Sequence, residues 1–126
     1  MRTHLGADMS VSGAVRRYIH NANITNFVTV LGTEPEANRR AAVMKLLVKE
    51  EDEFGFSYEQ LSDAERRIAV GQRVIDNQRK LIARMSDSGQ DIKEAKLLLT
   101  RLMQVQALFE AYRQKIKDRL EQWMIL

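Results

Sequence analysis

The side chains that could carry acid–base or metal chemistry are few in this chain. Histidine, the usual proton carrier and a common metal ligand, occurs only as His4 and His20. His4 lies in an N-terminal segment without hydrophobic periodicity, and His20 has no histidine or carboxylate neighbour at helical spacing. A polar position on a helix face is therefore the favoured interpretation of His20. Cysteine is absent, which excludes disulfides and thiol chemistry.

The acidic run 50–53 is the one cluster with ligands for a hard cation such as Mg²⁺ or Ca²⁺. Successive residues on a helix point in different directions, so these carboxylates do not converge on one ion. The sequence also lacks a glycine-rich phosphate loop, a nucleophile elbow and the Glu-x-x-His signature of di-iron bundles. We therefore expect no catalytic residue, no metal, no cofactor and no enzymatic activity.

Three basic residues, Arg66, Arg73 and Lys80, recur every seven positions and form a basic ridge on one face of a helix. Such a ridge can follow the phosphates of a nucleic acid. Acidic residues interleave with it, no aromatic side chain offers a base-stacking surface, and 20 basic against 17 acidic residues leave a net charge of only +3. A solvated helix face is the favoured interpretation, and a nucleic-acid-associated regulator is the alternative.

An alternating three- and four-residue hydrophobic repeat must position these side chains. It runs over 61–85 and resumes over 95–116, which is typical of helices that pack along one stripe. Between the runs, Gly89 suits the end of a helix and Asp91 suits the start of the next. The pattern predicts an antiparallel, coiled-coil-like hairpin.

Two residues interrupt the apolar stripe of the third helix. Pairing the two runs about the turn places Ile75 opposite Leu102 and Ile68 opposite Phe109. We expect Gly71 and Gln78 to relieve crowding against Val105 and Leu98 of the fourth helix. The sharper alternative is that Gln78 is a buried polar group that sets register or oligomeric state.

A first hairpin is expected over 11–53, after a flexible N-terminus of residues 1–10. Thr33 and Glu36 form a predicted capping box for the second helix, with Pro35 in its first turn. The first helix, about 11–31, has two apolar faces on nearly opposite sides: Val15, Ile19 and Ala22 on one, Ile24, Val28 and Leu31 on the other. Either this helix breaks at 21–23, or one continuous helix serves two partners.

An aromatic hinge over 54–61 is expected to separate this hairpin from the second, 62–126. Helix three begins at Ser57 or at Ser62, since both lie three residues before Gln or Glu. The fourth helix overhangs its partner, and its end through Trp123 is expected to meet the hinge aromatics.

The composition favours an all-α fold of 126 residues, with 44% hydrophobic residues, one proline and six glycines. We predict two antiparallel helical hairpins packed as a four-helix bundle. No apolar run approaches the roughly 20 residues that span a bilayer, and no signal peptide is visible, so a cytoplasmic protein without membrane contact is expected.

Segments of both halves carry a family likeness. Residues 23–35, 39–40 and 46–51, and residues 64–72, 82–84, 89–91 and 94–95, resemble short helical-hairpin proteins of unassigned function that are frequent in alphaproteobacteria. The resemblance implies a bacterial, cytoplasmic, helical protein and transfers no catalytic residue.

The surplus apolar surface points to association with another molecule. We predict a non-enzymatic interaction module, an adaptor or regulatory protein, that forms a homodimer or binds a protein partner through apolar helix faces. The residues expected to carry this contact are Ile24, Phe27, Leu31, Trp123 and Met124.

Overall fold

The computed structural model describes the backbone of residues 2–54 and 57–125, and the side chains of residues 13–53 and 57–122. The described residues form four helices and no strand: α1 (Arg2–Thr33), α2 (Ala37–Phe54), α3 (Tyr58–Asp87) and α4 (Lys93–Ile125). The all-α class is thus confirmed. Within the described part of the chain, no helix combines the length and the apolarity needed to cross a membrane.

The chain divides into two compact units, Met1–Phe54 and Gly55–Leu126. In the first, α1 packs against α2, and in the second, α3 packs against α4. Each unit is an antiparallel helical hairpin, as the short turns between the helices require.

Helix α1 is longer than the sequence suggests and is unbroken. It begins at Arg2, whereas the sequence placed its start at about residue 11. Residues 20–23 stay helical, and Asn23 does not cap a new helix because its side chain donates to Glu50 of α2. One continuous helix therefore carries both apolar faces.

The predicted capping box at Thr33 is wrong. Thr33 is the last residue of α1, where its hydroxyl donates to the Thr29 carbonyl at 3.0 Å and the Glu34 amide donates to the Val30 carbonyl at 2.8 Å. Helix α2 starts only at Ala37. Back-bonding by the hydroxyl keeps Thr33 in α1, which leaves the turn to residues 34–36.

Arg40 holds this turn from the second helix. Its Nη1 donates to the carbonyls of Glu34 at 3.1 Å and Pro35 at 2.8 Å. The Glu36 amide donates to the Glu34 carboxylate at 3.1 Å. Pro35 therefore lies in the turn itself and not in the first turn of α2.

The hinge between the hairpins is shorter than expected. Helix α2 reaches Phe54, and Ser57 caps α3 by accepting a hydrogen bond from the Gln60 amide at 3.2 Å. The structure thus selects Ser57 over Ser62 as the cap. Tyr58 is exposed. The expected cluster of Phe54, Phe56 and Trp123 side chains lies outside the described residues.

The turn of the second hairpin is confirmed. Gly89 has a φ of 72°, a conformation that glycine adopts without a steric cost, and its amide donates to the Ser86 carbonyl. Asp91 accepts from the Lys93 amide at 3.0 Å, as expected for a residue that starts a helix.

The seam of the second hairpin follows the predicted register. Its buried centre near the open end is Ala64, Tyr112 and Ile116, with Leu61 and Leu120 packed against it. Ile75, Val105 and Phe109 are buried further along. The three-four repeat therefore identified the residues that bury between α3 and α4.

Candidate interaction surface

A buried polar cluster ties the two helices of the first hairpin together. His20 Nδ1 lies 3.3 Å from Glu50 Oε1, and Asn23 Nδ2 donates to the same oxygen at 3.1 Å. His20 is almost completely buried. An enclosed imidazole held against a carboxylate can fix the helix register, but it offers no surface for a substrate.

The sequence missed this cluster because Glu50 is 30 residues away from His20 and on another helix. The side chain of His4 lies outside the described residues. Among the side chains that are described, no three His, Asp or Glu residues are placed to hold a metal ion. The residues that could have carried acid–base chemistry, His20 and Glu50, thus form a structural contact between α1 and α2.

The residues predicted to carry association are placed very differently from one another. Ile24 and Leu31 are almost fully buried in the chain, and Phe27 is half-buried. The register set by the His20–Glu50 contact places Ile24 opposite Leu47, which is also buried. Ile24 and Leu31 therefore contribute to the core and present no surface to another molecule.

Trp123 and Met124 were predicted to contact a partner, but their side chains lie outside the described residues. Their backbone lies in the last turns of α4. Both remain predicted contact residues.

The other apolar side of α1 is exposed, and we call it the outer face. It consists of Val15, Tyr18 and Ile19, of which Tyr18 is 74% exposed. These residues lie on the side of α1 opposite Ile24, at about 100° per residue. A single helix thus buries one face in its hairpin and presents a second to solvent.

The second hairpin also presents a row of apolar side chains, which we call the open face. Val70, Val74 and Leu81 on α3 and Leu97 on α4 are each 38% to 44% exposed. They are not part of the α3–α4 seam. Exposed apolar residues gathered on one surface, in contrast to isolated ones, are typical of a contact site.

The four residues of the open face lie on one side of the hairpin. Arg79 Nη2 approaches Met103 Sδ at 4.0 Å and marks the other side of the seam. Val74 and Leu81 lie on the flank of α3 away from Arg79, and Leu97 lies roughly 120° from Met103 around α4. The row from α3 and the residue from α4 therefore border one shallow groove.

The basic ridge borders this open face. Arg66, Arg73 and Lys80 are all exposed, as the sequence suggested. Arg66 Nη2 bonds to the buried Asp63 carboxylate at 3.2 Å, whereas no ion pair involves Arg73 or Lys80 within the described part of the chain. The ridge is thus available to a negatively charged partner.

Two glutamines hold the second hairpin in one register. Gln106 Nε2 donates to the Ile68 carbonyl at 2.8 Å, and Gln78 Nε2 donates to the Ala95 carbonyl at 2.9 Å. Gly71 makes room for the first of these, because a Cβ there would overlap the Gln106 amide. The side chain nearest to Gly71 is thus Gln106, where we expected Val105.

The open face could have been found from the sequence but was not. Val70, Val74 and Leu81 form a second helical repeat beside the stronger one of the seam. Sequence spacing cannot tell which of two stripes is covered, and the structure decides this through packing.

Comparisons with known proteins add no identity to this picture. Family models, curated proteins and solved structures were compared with the chain, and none of them matches it. The likeness to alphaproteobacterial hairpin proteins therefore stays a prediction, and the function must be argued from the surfaces themselves.

Proposed function

We propose that this chain is a non-enzymatic helical interaction module, an adaptor or regulatory protein that binds a protein partner through apolar helix faces. The observation that carries the proposal is the row of exposed aliphatic side chains, Val70, Val74, Leu81 and Leu97, on a hairpin whose register is held by glutamine hydrogen bonds. A preorganised apolar surface binds with little loss of conformational entropy.

We further propose that the outer face of α1 supports self-association. The side chains of Val15, Tyr18 and Ile19 are between 49% and 74% exposed. They lie on the part of α1 that runs alongside the C-terminal end of α2 and past it. Contact between two such faces would remove these side chains from water. Trp123 and Met124 belong to the same proposal as further apolar anchors.

Affinity capture with the full chain tests the module. We expect one protein partner at constant stoichiometry in lysate of the native cell, resistant to nuclease treatment. Exchanging Val74 and Leu81 for glutamine should release it, and a Trp123→Glu/Met124→Glu variant should release it if the end of α4 contributes. Capture that is unchanged in every one of these variants would contradict the proposal.

The basic ridge supports a second candidate, a nucleic-acid-associated regulator. Exposure of Arg66, Arg73 and Lys80 on one helix face is the observation in its favour. This function requires binding to duplex DNA or RNA that weakens steeply with salt and is lost in the Arg66→Gln/Arg73→Gln/Lys80→Gln variant. Nuclease-sensitive capture would select this candidate over the first.

A further inference from the structure

Arg101 gives the open face a polar centre. It lies one helical turn after Leu97 on α4 and is half-buried. Its Nε is shielded from solvent without a hydrogen-bond acceptor, and within the described part of the chain it makes no ion pair. A guanidinium that is partly desolvated and unpaired is complementary to a carboxylate.

The rims of the open face are mainly basic, with one exposed carboxylate, Glu94, two turns before Arg101 on the same side of α4. On the α3 side lie Arg73, Lys80 and Arg84, and on the α4 side Lys93 begins the helix. None of these four residues forms an ion pair in the part of the chain that the structure describes. An apolar groove with a basic centre and four basic residues against one carboxylate at its rims is complementary to an apolar stripe with mainly acidic flanks.

The shape of the groove fits a third helix. Two antiparallel helices leave a furrow along the flank of their seam, and the row from Val70 to Leu81 is about 16 Å long, or roughly three helical turns. A partner helix of that length would place apolar residues at i, i+4 and i+7 against it.

We infer that the open face binds one amphipathic helix of a protein partner, with acidic residues flanking its apolar stripe and one carboxylate paired with Arg101. The inference rests on the proposed interaction function and names the surface and the chemistry of its partner.

Three other occupants fit less well. A second copy of this face would bring Arg73 and Lys80 against an identical ridge, so like charges would oppose a symmetric contact. A nucleic acid gains nothing from a row of aliphatic side chains without an aromatic stacking surface. A membrane surface favours a wider apolar face with aromatic anchors than these four side chains supply.

A displayed library of amphipathic helices tests the partner chemistry directly. Its members share one apolar stripe, and their flanking positions are randomised among Glu, Gln and Lys. We expect selection on the full chain to enrich Glu at the flanks. Enrichment of Lys, or the same composition before and after selection, would overturn the inference.

Binding of a selected, fluorescein-labelled peptide then locates the surface by anisotropy. We expect Val74→Gln/Leu81→Gln to weaken binding at least tenfold, and Arg101→Gln to weaken it about tenfold because the paired carboxylate loses its partner. The matched control Leu46→Gln/Met103→Gln replaces two exposed apolar residues that do not belong to the open face. It should change the dissociation constant less than twofold.

Charge is tested with variants of equal net charge. Arg73→Gln/Lys80→Gln should weaken binding several-fold, whereas Lys45→Gln/Lys117→Gln should not. Equal losses in the two variants would mean attraction by net charge alone and would overturn the named surface. Circular dichroism spectra that match the parent protein show that each variant is folded.

The remaining outcomes separate this inference from the proposed function. Partner capture that persists in Val74→Gln/Leu81→Gln but is lost in Trp123→Glu/Met124→Glu supports the interaction module and excludes the open face as its binding surface. Binding to phosphatidylserine vesicles or to duplex DNA that depends on Val74 and Leu81 overturns the helix partner. If the chain forms a dimer that only Val74→Gln/Leu81→Gln abolishes, the open face binds a second copy of the chain and the inference is overturned.

Discussion

At the residue scale, Gly71 and Gln106 share one space in the seam of the second hairpin. A Cβ at position 71 would overlap the side-chain amide of Gln106. This side chain is buried, and its Nε2 donates a hydrogen bond to the Ile68 carbonyl. Glycine in a helix costs about 1 kcal/mol relative to alanine. The residue is therefore explained by the neighbour that it accommodates.

This pairing predicts a non-additive result. Gly71→Ala alone should bring little or no gain, because displacing Gln106 from its hydrogen bond costs about 1 kcal/mol and offsets the better helix propensity. In a Gln106→Ala background the same substitution should stabilise by about 1 kcal/mol. A double-mutant cycle by urea unfolding measures the coupling, and equal gains in both backgrounds would refute it.

The His20 cluster yields a prediction for the first hairpin. His20→Ala should destabilise α1 and α2 by roughly 1–3 kcal/mol, because it opens a buried space and removes one partner of Glu50. Amide hydrogen exchange reports each hairpin separately and should show lost protection in the first. Glu53→Gln, which changes an exposed pair with Lys49, serves as the control and should stay within about 0.5 kcal/mol.

At the scale of the elements, the turn between α3 and α4 depends on one backbone conformation. Gly89 has a φ of 72°, a backbone conformation that residues with a side chain adopt only with strain. Gly32, near the end of α1, has open space where a Cβ would lie. The two glycines thus have opposite roles: Gly89 ends a helix and Gly32 merely weakens one.

The contrast predicts opposite signs for the same substitution. Gly89→Ala should cost about 1 kcal/mol, and Gly89→Asn less, because asparagine tolerates this conformation better. Gly32→Ala should stabilise the first hairpin by up to about 1 kcal/mol. Thermal unfolding measures the stability of each variant, and amide hydrogen exchange shows which hairpin is affected. A Gly89→Ala variant that is more stable than the parent would contradict the role of Gly89 in the turn.

At the scale of the whole molecule, the two exposed faces are proposed to do different work. The outer face of α1 is uncharged at Val15, Tyr18 and Ile19, whereas the open face is bordered on its α3 side by Arg73, Lys80 and Arg84. Like charges oppose self-contact of the open face but not of the outer face. Self-association and partner binding are therefore separable by mutation.

Sedimentation equilibrium checks this division of roles. The parent chain should exceed its monomer mass of 14.6 kDa, and Val15→Gln/Ile19→Gln should return it to that mass. Val74→Gln/Leu81→Gln should leave the association unchanged. A parent protein that stays monomeric at high concentration would remove self-association from the proposal.

Much of the architecture follows from the sequence because its determinants are local. The three-four repeat of α3 and α4, the glycine and aspartate of their turn and the cap at Ser57 act within a few residues of one another. A local pattern gave the wrong prediction where two interactions compete for one side chain. Thr33 has the sequence context of an N-cap for α2, but its hydroxyl donates to the Thr29 carbonyl of α1.

The surfaces and the buried polar contacts were decided by tertiary structure alone. His20 meets Glu50, and Gly71 meets Gln106, only because helices distant in sequence pack side by side. In the same way, packing covers Ile24 and leaves Val15 exposed, although both lie in apolar stripes of one helix. Periodicity determines which residues share a face, and only packing determines which face meets water.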